Sequence, residues 1–154
     1  MFAPDTTHRL ETEADTIALA EAIAPILRPG DTLLLSGEIG AGKSAFARAV
    51  IRALANAQIE VPSPTFTLVQ TYELPVGDVW HCDLYRLTHP DEALELGLDE
   101  AFETAICLIE WPDRLGSDAP EQALHLQFVA HNAYHTVKLV APDAWATRLQ
   151  ARHV

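Results

Sequence analysis

The sequence predicts an α/β fold, a mostly parallel sheet flanked by helices with an added antiparallel hairpin, in a single domain over residues 1–154. Three observations lead there. Two short apolar runs, Thr32-Leu33-Leu34-Leu35 and Ile106-Cys107-Leu108-Ile109, read as buried strands. Between the first of these and a helical run lies Gly37-Glu38-Ile39-Gly40-Ala41-Gly42-Lys43-Ser44, so the order is strand, glycine-rich loop, helix. Residues 66–72 and 79–85 read as two more strands, separated by Glu73-Leu74-Pro75-Val76-Gly77-Asp78, which supplies the hairpin.

From the N-terminus, residues 1–11 read as a loose lead-in with a short edge strand near Arg9-Leu10. Thr12-Glu13-Ala14-Asp15 has the form of a capping box, in which a hydroxyl and a carboxylate satisfy N–H groups at a helix start. The helix that follows carries Leu19, Ile23, Ile26 and Leu27 on one face, and Pro25 should kink or end it. Arg28-Pro29-Gly30-Asp31 turns the chain into the strand at 31–36. Helical spacing resumes through Phe46, Val50, Ile51 and Leu54. Pro62 and Pro64 stiffen an extended segment over 61–69. An acidic helix begins at His89-Pro90-Asp91-Glu92 and is expected to end at Gly97, its carboxylates forming a solvated face. After the strand at 105–111 come strands at 124–129 and 134–140 around His131-Asn132-Ala133, then a helix over about 142–152.

The loop reads GxxxxGK[ST], a phosphate-binding pattern of P-loop NTPases. Gly37, Gly40 and Gly42 allow positive φ and a close approach of main-chain N–H groups to phosphate oxygens. The helix starting near Lys43 adds its partial positive charge. Lys43 would reach the β and γ phosphates as a point charge, and the Ser44 hydroxyl would ligate the Mg²⁺ that accompanies the nucleotide. An ordinary strand-to-helix turn is the bland alternative, which the strand and helix on either side disfavour.

Three further residues stand where such a loop needs partners. Thr65 sits in the proline-stiffened segment and reads either as part of a connecting loop or as a switch sensing the γ-phosphate or its Mg²⁺. Asp83 lies in the strand-like Trp80-His81-Cys82-Asp83-Leu84-Tyr85-Arg86, where a carboxylate needs a cationic partner. That partner is Arg86 on a structural reading, or the Mg²⁺ shell on a functional one. Glu110 ends the apolar Ala105-Ile106-Cys107-Leu108-Ile109 at the strand's C-terminal edge, where α/β sheets bind ligands, and reads either as a strand-end acid beside a core Trp111 or as the group that orders a Mg²⁺-bound or attacking water. Asp113-Arg114-Leu115-Gly116 matches a guanine-nucleotide switch motif by chance, since no NKxD follows.

Ten Lys and Arg stand against 22 Asp and Glu, a formal charge of −12, so unaided binding of RNA or DNA is not expected. A role in a nucleic-acid pathway would run through a partner protein that carries the basic surface. No apolar run is long enough to span a membrane and no basic-then-apolar leader is seen, which gives a cytoplasmic expectation. Cys82 and Cys107 fall inside strands without CxxC spacing and read as buried thiols. His131 and His135 are four apart in a turn and strand, so no helical zinc motif is implied.

GEIGAGKS, SPTFTLVQTYE, HCDLYRL and ICLIEWPDR, in this order and at these intervals, resemble the bacterial TsaE (YjeE) family over nearly the whole chain. The resemblance implies a Mg²⁺-dependent ATPase of tRNA N6-threonylcarbamoyladenosine (t6A) biosynthesis, acting with the partner proteins TsaB and TsaD to reset their complex and meeting tRNA only indirectly. By matching positions it implies that Gly37, Glu38, Ile39, Gly40, Ala41, Gly42, Lys43 and Ser44 hold the phosphates of ATP. It likewise assigns Mg²⁺ to Ser44 and Glu110, the nucleotide or metal shell to Asp83, and the switch to Thr65. Glu13 is implied to lie near the nucleoside. A small-molecule kinase is the alternative, although Arg86 and Arg114 supply little for the arginine-rich lid it needs. A nucleotide-sensing adaptor with little turnover is a third reading.

Overall fold

The computed structural model describes residues 4–151. Among these, seven strands form one sheet: β1 (Thr7–Leu10), β2 (Thr32–Ser36), β3 (Val69–Leu74), β4 (Gly77–Asp83), β5 (Ile106–Glu110), β6 (Leu124–Ala130) and β7 (His135–Val140). Their order is β1-β7-β6-β2-β5-β4-β3. The four middle strands, β6-β2-β5-β4, are mutually parallel. The expected hairpin adds β3 antiparallel to β4, and at the opposite edge β7 and β1 continue the sheet in antiparallel pairs.

Helices cover both faces, because β2 and β5 are apolar on both. Leu33, Leu35, Ile106 and Leu108 pack with Leu19, Phe46, Val50 and Leu149, which come from α1 (Glu13–Ile23), α2 (Lys43–Ala55) and α5 (Asp143–Ala151). Leu34, Cys82, Cys107 and Ile109 pack on the other face against α3 (Asp91–Glu95), α4 (Leu98–Thr104) and a 3₁₀ segment, Pro112–Asp118, through Ala93, Leu98 and Leu115. Burial raises both thiols, Cys107 to about 12 and Cys82 well above its ordinary value, so they stay protonated and unreactive.

Local chemistry sets the element ends. Asp15 N donates to Thr12 Oγ1 at 3.3 Å, and Asp15 Oδ2 accepts from Thr12 N at 3.1 Å, the reciprocal cap expected for α1. The α-helix stops at Ile23, and Pro25 falls in the 3₁₀ turn Ala24–Ile26. Among the boundaries that differ from the sequence reading, three stand out. First, β3 begins at Val69 rather than 66, because Leu68 takes φ +68° and its N–H closes a turn on Pro64 O at 2.7 Å. The hairpin turn is also shorter, Pro75-Val76, because β3 runs on to Leu74 and β4 starts at Gly77. Second, β4 stops at Asp83 instead of continuing to 85. Third, Gly97 (φ +88°) follows the end of the acidic helix as expected but also caps a further helix, α4, which the sequence reading did not include.

The last helix is clamped to the sheet. Arg148 donates to both carboxylate oxygens of Asp31, at 3.0 and 2.7 Å, and to the Ile26 carbonyl, with its guanidinium 4.1 Å from the Trp145 ring centroid. Residue 152, included in that helix by the sequence reading, lies outside the described residues. Among the described residues no helix is long and apolar enough to cross a membrane.

Candidate functional site

The loop leaving β2 must reverse into α2 while β6 stands directly behind it. At Gly37, with φ +142°, an added Cβ would lie 2.5 Å from the Phe128 carbonyl oxygen, so only glycine lets the loop pass this strand. Gly40 and Gly42 take φ +83° and +109°, and the space where a Gly40 Cβ would project is open. Among the described residues no backbone carbonyl accepts from the N–H groups of Gly40, Gly42, Lys43 or Ser44. A helix N-terminus with unpaired donors and left-handed glycines before it suits an anion.

Lys43 is 5% exposed. Its ammonium donates to the carbonyls of Gly37 and Glu38 and lies 4.4 Å from the centroid of the Trp111 ring. Burial holds its pKa below the ordinary value, against the opposing pull of Glu110, Asp83 and Glu38. Trp111 follows Glu110 directly and adopts φ +61°, a backbone state uncommon for a bulky residue, which brings its ring over the lysine and 4.8 Å from that of Tyr85.

The parallel strands deliver the carboxylates. Asp83 and Glu110 are the last residues of neighbouring β4 and β5 and are register partners, and both are buried. Ser44 Oγ donates to Glu110 Oε1 at 2.8 Å, across 66 residues of sequence. The second oxygen, Oε2, is 2.7 Å from His81 Nε2. Asp83 Oδ1 accepts from Tyr85 N at 3.0 Å, and Oδ2 accepts from Thr65 Oγ1 at 3.4 Å. Arg86 does not pair with Asp83 as the structural reading supposed. It donates instead to the carbonyls of Thr65 and Phe66, pinning the segment that bears Thr65.

Ile39, Gly40, Gly42, Lys43, Ser44, Thr65, Asp83 and Glu110 therefore line a single cavity of about 500 Å³, within the range of small-ligand sites. Gly37, Glu38 and Ala41 belong to the same loop but do not line the cavity. Glu13 does not reach this cavity. It borders an adjoining depression, between the start of α1 and the β6–β7 turn, that shares Gly42, Ala45, Arg48 and His135 with it. Sequence reasoning missed Arg48 and His135 as lining residues and His81 as the partner of Glu110. Arg48 lies one helical turn beyond Ser44, a signal that was available; the other two depend on strand register.

A hydroxyl 2.8 Å from a buried carboxylate, facing a cavity walled by free main-chain donors, is a hard, all-oxygen donor pair of the kind Mg²⁺ accepts when phosphates complete its shell. No cluster of three or more His, Cys, Asp or Glu that could hold a metal occurs among the described residues.

A parallel-centred α/β sheet whose first-core-strand loop wraps a lysine, with acids at the ends of the next strands, defines a P-loop protein, and that class points to a nucleotide. Comparison with known proteins narrows it. The family model for "Threonylcarbamoyl adenosine biosynthesis protein TsaE" matches residues 10–138, and the chain belongs to this TsaE family. The tRNA threonylcarbamoyladenosine biosynthesis protein TsaE of Rickettsia bellii is 43% identical over 104 residues, 68% of this chain and 72% of that protein. Its counterpart of the same name in Bacillus subtilis is 38% identical over 113 residues, covering 73% and 70%. The crystal structure of YdiB from Bacillus subtilis superposes with a TM-score of 0.80 at 26% identity, over 96% of this chain and 93% of that one.

Proposed function

We propose that this chain, a TsaE-family component of tRNA threonylcarbamoyladenosine biosynthesis, binds ATP with Mg²⁺ and hydrolyses it. The observation that carries this reading is the Ser44–Glu110 contact, which brings the hydroxyl of the phosphate loop onto a buried acid at the end of the adjacent parallel strand.

The loop from Gly37 to Ser44 would hold the phosphates, with main-chain donors fixed before the ligand arrives and the buried ammonium of Lys43 as the positive charge among them. Ser44 and Glu110 would hold Mg²⁺. A metal bound there supplies neutralisation of charge on the phosphate oxygens. Glu110, with one oxygen against Ser44, is also the group placed to orient water. Asp83 links this edge to Thr65 by the 3.4 Å contact, which supports Thr65 as the switch residue. Glu13, which lines the adjoining depression, is the candidate contact to the nucleoside.

The acidic chain, at −12, is suited to acting through protein partners such as TsaB and TsaD, reaching tRNA only through them, in the cytoplasm. Incubating the isolated chain with ATP or GTP, with and without Mg²⁺, and following the products tests the reading. Phosphate released without an acceptor supports it. Phosphoryl transfer to an added small molecule would establish a kinase, and tight binding without release would establish a sensor.

A further inference from the structure

His81 is fully buried in the middle of β4, and its ring has one hydrogen-bonding partner among the described residues, Glu110 Oε2, at 2.7 Å. The opposite ring nitrogen, Nδ1, is buried with none. Burying an imidazole in a sheet layer is costly unless its nitrogens are hydrogen-bonded, and here Glu110 satisfies only one of the two. The register explains why the two meet. His81 pairs with Leu108 and Asp83 with Glu110, so His81 and Glu110 are diagonal neighbours on one face of parallel strands.

We propose that His81 is a positioning residue for Glu110. An N–H on Nε2 donates to Oε2 and fixes the plane of the carboxylate, so that Oε1 is presented to Ser44 Oγ and to the metal position beside it. A lone hydroxyl contact would leave the carboxylate free to turn about its last torsion, whereas two contacts on opposite oxygens do not. The orphaned Nδ1 agrees with this tautomer. As a bare acceptor it lacks only a donor, whereas an N–H there would be a buried donor with nowhere to point. The inference rests on the Mg²⁺–nucleotide reading of the site and assigns it a second layer.

The experiment compares the wild type, His81→Gln, whose amide nitrogen can replace Nε2 as a donor, and His81→Phe, which keeps the ring and loses the donor. ATP affinity is measured by calorimetry across a Mg²⁺ titration, alongside phosphate release. His81→Phe should raise the Mg²⁺ concentration for half-maximal effect by about 10- to 100-fold with Mg²⁺-free binding unchanged, and His81→Gln should stay within about threefold of wild type. Equal Mg²⁺ dependence in His81→Phe and wild type, or a loss in His81→Gln as large as in His81→Phe, overturns the proposal. If His81→Phe does not fold, nitrogen NMR of the His81 ring in the wild type decides: the Nε2–H tautomer supports positioning and the Nδ1–H tautomer overturns it. A wild-type chain that binds ATP with no Mg²⁺ dependence removes the underlying reading and this inference together, a result visible before any variant is made.

Discussion

Replacing Lys43 by alanine separates what the buried ammonium does for the fold from what it does for phosphate chemistry. In the fold, the change removes two charge-assisted hydrogen bonds, to the carbonyls of Gly37 and Glu38, and relieves a cation that is 5% exposed. These effects oppose one another at a few kcal/mol each, so stability near neutral pH should move by about 1 kcal/mol or less. In the transition state nothing replaces the charge, and the loss should be about 3 kcal/mol, roughly 150-fold in turnover. The pH dependence carries an independent check. Burial lowers the Lys43 pKa from 10.5, so at alkaline pH the unfolded chain binds the proton that the folded chain has released. Its cost to stability is fully present below the folded value and is relieved as pH rises through that value towards 10.5. Urea unfolding of both proteins on the alkaline side should show wild type gaining on the variant, and phosphate release should show the rate loss. A folded Lys43→Ala protein that hydrolyses ATP within about threefold of wild type would refute the reasoning.

Other perturbations follow from the same geometry. Glu110→Gln should slow phosphate release by about 100-fold while leaving Mg²⁺-free ATP affinity within about threefold, since it removes the metal-facing charge and keeps the shape; equal losses in both would make Glu110 structural. Gly37→Ala forces a Cβ to within 2.5 Å of the Phe128 carbonyl and should lower stability by roughly 2 kcal/mol or more in thermal unfolding. Gly40→Ala meets no atom within 4 Å and should cost only its φ strain, about 1 kcal/mol, in the same assay. Arg148→Ala leaves Asp31 without its two bonds and should destabilise by about 2 kcal/mol, with less than additive loss in the Arg148→Ala, Asp31→Asn double variant.

Much of this is legible in the residues alone. The glycine loop, the capping box at Thr12 and Asp15, the apolar strands and the stop at Pro25 are each decided by residues a few positions apart, and local chemistry settles them. The carboxylates at Asp83 and Glu110 could be picked out because a charged residue closing an apolar run is conspicuous. What the sequence hid depends on register or on a two-sided residue. Gly97 serves equally as a helix terminator and as a helix start, so the stop of α3 was legible and the start of α4 was not. Phe66 and Thr67 have strand-forming side chains, and the turn from Pro64 to Leu68 overrode them. His81 contacts Glu110 only through the offset of β4 against β5, which no spacing within either strand announces.

That offset ties two fates together. Leu33, Leu35, Leu108 and Glu110 share the side of the sheet that α1 and α2 cover, while Leu34, Cys107 and Ile109 face away. Sliding β5 by a single residue would exchange its own residues between those two sides, throwing the acid into oil and the oil into the anion's chamber in one stroke. The same leucines that keep the domain from melting thus also aim its chemistry, and damage to either would be felt as damage to both.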